Sequence, residues 1–515
     1  MNLREKLGQR FLYRLPGVTQ LTQEVADFLV ECRAGGVVLF GYNVQTPEQV
    51  AKLNHDLQAL AARHNMPPFI IGVDEEGGQV SRMPAEGREL ILPSQMALGV
   101  AGAEAVRACA EVNARRLRSL GFNLNFAPVL DINNNPANPV IGTRSFGDDP
   151  ALVAELGGVA LEAYLQTGIS PCAKHFPGHG DTNVDSHFHL PVVNKSLEEL
   201  RRFELVPFQR AIAAGIPAIM TAHILYPQFE TGGLPATLSP RFLTQVLRQE
   251  LGFEGLIFTD ALDMAAIADR YRLGEASLMA FQAGADIVMS FSLSFDEQYA
   301  AFEEVVAAAE AGELDLLHNA ETDERITGWR KRFCTGTPVA GVTEEDVQII
   351  AGAAQHSLSL VCPEKDFVPL SKIKAQRPLL VDFTAAMESP VEEGRQPGPL
   401  LETELRATMP ALLRLEVPAN PTPADELRAL SWASQSDLLI IVTRHATRYE
   451  EQAKLVRTLI ENYGSATPLF IIAAREPYDL ALFEGSAGSI ATYGDPPATI
   501  KALANLLTVE QPILC

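Results

Sequence analysis

Residues 170–191 read Ser-Pro-Cys-Ala-Lys-His-Phe-Pro-Gly-His-Gly-Asp-Thr-Asn-Val-Asp-Ser-His-Phe-His-Leu-Pro. The stretch opens as a short apolar strand over 170–173 that runs into Lys174-His175. It then breaks at Gly178 and Gly180 and closes at Pro191. Four of the chain's ten histidines fall here (His175, His179, His187 and His189), together with Asp181 and Asp185. Charged and imidazole groups on a loop just past a strand are how parallel α/β scaffolds carry their sites. This is the expected active-site loop, and its strand sets the register for the rest.

Outward from it, apolar β-rich runs recur at 9–13, 36–40, 69–73, 123–128, 170–173, 218–222, 256–259 and 286–289. Helix-like patterns lie between them, among others at 46–64, 103–120, 152–167, 197–214 and 240–251. Strands alternating with helices predict a parallel sheet, and eight of them predict a closed (β/α)8 barrel. An open doubly wound sheet is the alternative, but no GxGxxG follows the first strand. The polar residues fall where a barrel puts them. The third strand runs into Asp74-Glu75-Glu76-Gly77-Gly78, and the fourth into Asp131 with Arg144 further along its loop. The fifth ends at Lys174-His175, the sixth at His223 and the seventh at Asp260. Reactive residues of barrel enzymes sit at the carboxyl ends of strands, so these side chains are expected to share one mouth.

Residues 292–332 read as helices that close the barrel. The turn-rich run 335–343 is the expected connector. Beyond a helix over 344–357, strands are expected at 379–383, 438–443, 469–473 and 489–492, separated by helices. The expected organisation is a catalytic barrel over 1–334, a linker over 335–344 and a smaller α/β sandwich-like domain over 345–515. The Pro/Gly/Glu-rich stretch 388–399 is expected to be a mobile loop.

The chain has 515 residues, 47% hydrophobic and 20% charged, an ordinary globular composition. Its formal net charge of −23 argues against nucleic acid or an anionic membrane as partner, since both would repel it. No apolar run is long enough to span a bilayer, and charges appear early in Met1-Asn-Leu-Arg-Glu-Lys, so no secretory signal is expected. Cys32, Cys109, Cys172, Cys334, Cys362 and Cys515 are scattered without CxxC spacing, which reads as free thiols in a reducing cytoplasm.

Three chemistries compete for the site. Glycoside cleavage needs a nucleophile or base on one side of the bond and an acid on the other, and Asp260 stands directly at a strand end. Asp263, three residues on, reads better as a cap for the following helix or a support to its neighbours. A metal-dependent hydrolase would use the pair His187-Phe188-His189 with His175, His179, Asp181 and Asp185. Against it, Lys174 beside His175 would repel a cation. A carbohydrate-binding barrel without turnover is the third, though only two Trp limit any extended stacking surface. Single residues have plain readings too. His179, Asp181 and His189 are equally well hydrogen-bonding or capping residues. Glu75 and Glu76 are solvated or orient their neighbours. Arg144 either pairs with Asp131 or offers a planar fork to sugar hydroxyls or an acetamido oxygen.

The motifs as a set resemble the β-N-acetylhexosaminidase subgroup of glycoside hydrolase family 3. They are Lys174-His175-Phe176-Pro177-Gly178-His179-Gly180-Asp181-Thr182 with Val184-Asp185-Ser186-His187, Val73-Asp74-Glu75-Glu76-Gly77-Gly78, Phe126-Ala127-Pro128-Val129-Leu130-Asp131, Ile141-Gly142-Thr143-Arg144-Ser145-Phe146 and Thr259-Asp260-Ala261-Leu262-Asp263-Met264. Arg475-Glu476-Pro477-Tyr478-Asp479-Leu480 resembles the family's second domain more loosely. The resemblance implies a retaining mechanism without a cofactor or metal, acting on a small carbohydrate with a terminal β-linked N-acetylglucosamine. It matches Asp260 to the nucleophile and His187 with Asp185 to an acid/base dyad. It matches Asp74, Arg144, Lys174 and His175 to residues that hold the sugar hydroxyls. The family's β-glucosidases draw an acidic residue from the second domain instead, and Asp185-Ser186-His187 argues against that branch. A neutral base does not repel an anionic acceptor, so phosphorolysis stands beside hydrolysis. A cell-wall muropeptide fragment, a chitin oligosaccharide and other N-acetylglucosaminides are equally compatible as substrates.

Overall fold

The computed structural model describes residues 2–83, 88–314, 316–334, 341–361, 370–384, 389–392, 400–484 and 488–508. Nine short parallel strands form the first sheet: β1 (Phe11–Arg14), β2 (Gly36–Leu39), β3 (Ile70–Val73), β4 (Leu124–Asn125), β5 (Ser170–Pro171), β6 (Ala173–Phe176), β7 (Ala218–Thr221), β8 (Leu256–Ala261) and β9 (Ile287–Met289). Their order is β5-β4-β3-β2-β1-β9-β8-β7-β6. Only Cys172 separates β5 from β6, so the two ends of that list are one run of chain. The sheet closes on itself as the eight-stranded barrel that the alternation predicts.

The period-two alternation of strands divides the apolar residues. Leu12, Val38, Ile70, Leu124, Cys172, Met220, Phe258 and Ile287 fill the barrel interior. Phe11, Tyr13, Val37, Leu39, Ile71 and Val73 pack outward with the surrounding helices. The helix Leu316–Phe333 brings Ile326, Trp329 and Phe333 into the interior cluster. Trp329 Nε1 donates to Ser170 Oγ at 3.0 Å, at the amino end of β5. That end is therefore plugged, and the carboxyl ends form the open mouth. The helices begin where the sequence provides caps. Thr46 accepts from Gln49 N ahead of Pro47–Arg63, and Asp149 accepts from Leu152 N ahead of Pro150–Thr167.

The second sheet has six strands, β10 (Ser359–Val361), β11 (Pro378–Phe383), β12 (Leu413–Val417), β13 (Leu438–Thr443), β14 (Leu469–Ala473) and β15 (Gly488–Ala491). The order is β10-β15-β14-β13-β11-β12, with β10 antiparallel to β15 and the other pairs parallel. Apolar clusters cover both faces. The four expected strands form its centre; β10 and β12 are additional edges. The helix Glu344–Ser357 bridges the two sheets. Its Ile350, Ala353 and Ala354 belong to the barrel's outer cluster together with Ala498 and Ala502 of the helix Pro497–Thr508, and Asp346 pairs with Arg115 of the barrel. Most of the expected connector, 335–340, and of the expected loop 388–399 lies outside the described residues. No helix among the described residues is long and apolar enough to cross a membrane.

Candidate active site

The mouth is built around a buried carboxylate. Glu76, just past β3, accepts from Arg144 Nε at 2.8 Å and Nη2 at 2.9 Å. Lys174 Nζ, from β6, lies 2.7 Å from the same carboxylate and 2.6 Å from Asp74. Burial alone would raise the Glu76 pKa, but Arg144 and Lys174 outweigh it and hold the group well below the usual carboxylate range. Burial likewise opposes the charge on Lys174, and Asp74 and Glu76 more than restore it. Of the two readings of Arg144, pairing with Asp131 is not the one the structure takes: Glu76 is its carboxylate partner. Glu75 turns away into its own loop, accepting from Ser81 Oγ and Arg82 N, both at 2.8 Å.

Asp131 instead organises the histidine loop. It accepts from His175 N at 3.2 Å and His179 N at 2.6 Å, and its second oxygen lies 2.7 Å from His175 Nδ1. This leaves His175 Nε2 towards Arg144 Nη2, at 3.5 Å. Gly180 has a steric reason: a Cβ there would run into the Ile132 carbonyl. His179 is buried between Thr182 Oγ1 at 2.9 Å and Ser186 Oγ at 3.0 Å, and burial with the neighbouring His175 lowers its pKa to about 4. Asp181 pairs with Lys195 at 2.7 Å, away from the cavity lining. The loop then delivers His187. Its Nδ1 and its backbone N–H both bond Asp185 Oδ1, at 2.7 and 2.9 Å. Burial pushes the Asp185 pKa up, but the bonds and charge of His187 outweigh it, so Asp185 stays anionic. His189 is exposed, and the HxH pair does not converge.

Asp260 closes the opposite side from β8. Its Oδ1 accepts from Ala261 N at 2.7 Å. Burial acts to raise its pKa, and His223, His175, His187 and that N–H together bring it below the ordinary value. His223 donates from neither ring nitrogen into the cavity: Nε2 lies 2.9 Å from the Ala261 carbonyl and Nδ1 2.9 Å from Thr237 Oγ1. Asp263 is not a helix cap. The helix Ala265–Ala268 begins at Met264 without a side-chain cap, and Asp263 pairs with Arg14 at 2.7 Å. Arg14 lies over the rings of Phe40 and Tyr42.

Asp74, Arg144, Lys174, His175, His187 and Asp260 all line one cavity of about 320 Å³, with Arg14, Asp263, Pro390 and Val391 on its walls. Among the described residues, no three His, Cys, Asp or Glu side chains are disposed to share a metal ion. Three contributors have no strong sequence signal. Glu76 is legible only as one of two adjacent acids. Arg14 is one more charge at a strand end. Ser389, whose Oγ lies 3.4 Å from His187 Nδ1, comes from 202 residues further along the chain.

A barrel mouth that sets a carboxylate and an imidazole on one polar cavity, with charged groups for hydroxyls between them, has the build of a glycosidase. A family model described as the glycosyl hydrolase family 3 N-terminal domain matches residues 2–328, and the chain belongs to that family. It is 38% identical over 288 residues to beta-hexosaminidase A of Pseudoalteromonas piscicida, covering 53% of this chain and 48% of that protein. The chain thus spans about half the length of that relative. It is also 38% identical over 278 residues to a beta-hexosaminidase of Thiobacillus denitrificans, 53% of this chain and 75% of that one. A family 3 beta-N-acetylglucosaminidase of Paenibacillus sp. str. FPU-7 superposes with a TM-score of 0.91 at 34% identity, covering 99% of this chain and 97% of that one.

Proposed function

We propose that this chain is a retaining β-N-acetylglucosaminidase that releases terminal β-linked N-acetylglucosamine. The observation that carries the reading is the shared cavity: Asp260 and the Asp185-held His187 both line it, with Asp74, Arg144, Lys174 and His175. Asp260 is anionic and attacks the anomeric carbon while the bond to the leaving oxygen breaks. His187, as imidazolium, gives its Nε2 proton to that oxygen. The product of this step is a glycosyl ester on Asp260 of inverted configuration. His187, now neutral with Nδ1–H still on Asp185, takes a proton from water through Nε2. The water oxygen attacks the anomeric carbon, the ester bond breaks, and the two inversions restore the β configuration. An imidazole has an ordinary pKa near 6.5, suited to both giving and taking a proton at neutral pH. Asp74, Lys174, Arg144 and His175 hold the hydroxyls of the sugar that is cleaved.

Named relatives that are hexosaminidases support N-acetylglucosamine as the sugar. Buried free thiols at Cys32, Cys109 and Cys172 support a reducing, cytoplasmic setting, where the substrates would be small glycoside fragments such as those of cell-wall recycling. A panel of nitrophenyl β-glycosides tests the reading. N-acetylglucosaminide is expected to be cleaved far faster than glucoside, with free sugar as the product whether or not phosphate is present. Equal or better cleavage of glucoside would overturn the substrate; a sugar 1-phosphate as the main product would overturn hydrolysis.

A further inference from the structure

We propose that Arg448 of the second domain is a positioning residue for the sugar site, acting through Asn138 on both loops that form it. The inference rests on the glycosidase reading and deepens it. Arg448 and Glu476 follow β13 and β14, at the carboxyl edge of the second sheet. In parallel sheets that edge is where ligands are held; here it holds a loop of the barrel. Arg448 Nη2 donates to the Asn138 carbonyl at 2.6 Å and to Glu476 Oε1 at 2.8 Å. Tyr478 adds its hydroxyl, which accepts from Asn133 Nδ2 at 3.0 Å.

Asn138 is buried and uses its whole amide. Its Nδ2 donates to the carbonyls of His179 at 2.8 Å and Gly180 at 3.0 Å, and to Thr182 Oγ1 at 3.2 Å. Its Oδ1 accepts from Val140 N at 2.9 Å and Ile141 N at 2.8 Å. Val140 in turn accepts from Arg144 Nη1 at 2.9 Å. One side chain therefore joins the turn that carries Arg144 to the loop that leads to Asp185 and His187, and Arg448 anchors the backbone of that same residue. The turn fits this partner closely. Gly142 has φ +44°, and a Cβ there would stand only 2.3 Å from Glu476 Oε1. Between Asn138 and Arg144 the only regular structure is the single 3-10 turn Gly142–Arg144, so hydrogen bonds from outside set the direction of its carbonyls. A guanidinium is the stronger kind of donor for that purpose.

The test compares Arg448→Ala and Arg448→Lys with the unaltered protein, using p-nitrophenyl N-acetyl-β-glucosaminide as substrate and N-acetylglucosamine as competitive inhibitor. Misplacing a binding group by a fraction of its contact distance costs up to about 100-fold. Arg448→Ala is expected to raise KM and the inhibitor's Ki together by at least tenfold, more than it changes kcat, with part of the loss recovered in Arg448→Lys. A lowered Tm with KM and Ki unchanged would reduce Arg448 to a tie between domains and overturn the proposal. Should Arg448→Ala fail to fold, Glu476→Gln, which keeps the shape, is expected to shift KM and Ki in the same direction; unchanged values there would overturn it equally. An unaltered protein that cleaves no N-acetylglucosaminide would sink the functional reading itself, whereas normal cleavage with unresponsive variants sinks this inference alone.

Discussion

Glu76 receives both arms of the Arg144 fork, Nε at 2.8 Å and Nη2 at 2.9 Å, and so binds the guanidinium edge-on. Lys174, which also bonds Asp74 at 2.6 Å, shares that carboxylate, so Glu76 is the anion common to two buried cations. Removing one partner of a buried ion pair typically costs about 3–5 kcal/mol, because the charge left behind is uncompensated. Glu76→Ala is expected to lose stability on that scale and to raise KM sharply, since Arg144 and Lys174 would repel each other apart. Urea denaturation and initial rates check it. A stability change below about 1 kcal/mol with normal KM would contradict this account of the cluster.

His179 predicts an acid-sensitive fold. Burial and His175 lower its pKa to about 4 from an ordinary 6.5, so the folded state refuses a proton that the unfolded state accepts. The stability it contributes is fully present above pH 6.5 and is lost as pH falls towards 4. A difference of this size is worth on the order of 3 kcal/mol. His179→Asn removes the titration, so the fall in stability between pH 7 and pH 4.5 is expected to be shallower than in the unaltered protein. Parallel pH slopes would show that another group carries it.

Much of this fold is legible because five of the eight barrel strands end on a polar residue that has no reason to follow an apolar run. Asp74, Asp131, Lys174-His175, His223 and Asp260 mark five strand ends in the sequence, and the structure places all of them at one mouth. The edge strands β10 and β12 are less legible. β10 is a three-residue edge strand, and β12, Leu-Arg-Leu-Glu-Val, carries two charges on a largely exposed face that a short window reads as loop. Pairings over long separations leave no local mark at all. The Arg144–Glu76 pair, the Arg14–Asp263 pair and the approach of Ser389 to His187 depend on closure of the barrel and docking of the second sheet.

Divalent metal is expected to be dispensable. Among the described residues no three His, Cys, Asp or Glu side chains are disposed to share a metal ion, and the Lys174 ammonium stands in the cavity beside His175. Activity should survive prolonged chelation unchanged. Loss on chelation with recovery on adding zinc would return the metallohydrolase reading.

The second domain is expected to shape the cavity without supplying the acid. Its described acidic residue beside the cavity wall, Glu392, is paired with Arg475 at 2.9 Å, and Arg82 Nη1 holds the adjacent Val391 carbonyl at 2.7 Å. Glu392→Gln should alter KM more than kcat, and equally for good and poor leaving groups. A kcat that collapses only for poor leaving groups would make Glu392 a proton donor.

The most direct measurement separates Asp260 from His187. Asp260→Ala should fail on every substrate, because the covalent route is gone. His187→Ala should still be glycosylated by an activated aryl N-acetylglucosaminide, whose leaving group departs without a proton, and should then stall with a burst. General acid/base help is typically worth about 10²–10⁴-fold, which sets the loss to expect. Azide, which needs no general base, is predicted to restore turnover of His187→Ala and to yield the β-glycosyl azide. The α-azide, or no rescue of a folded His187→Ala protein, would contradict the assignment of His187 as the acid/base.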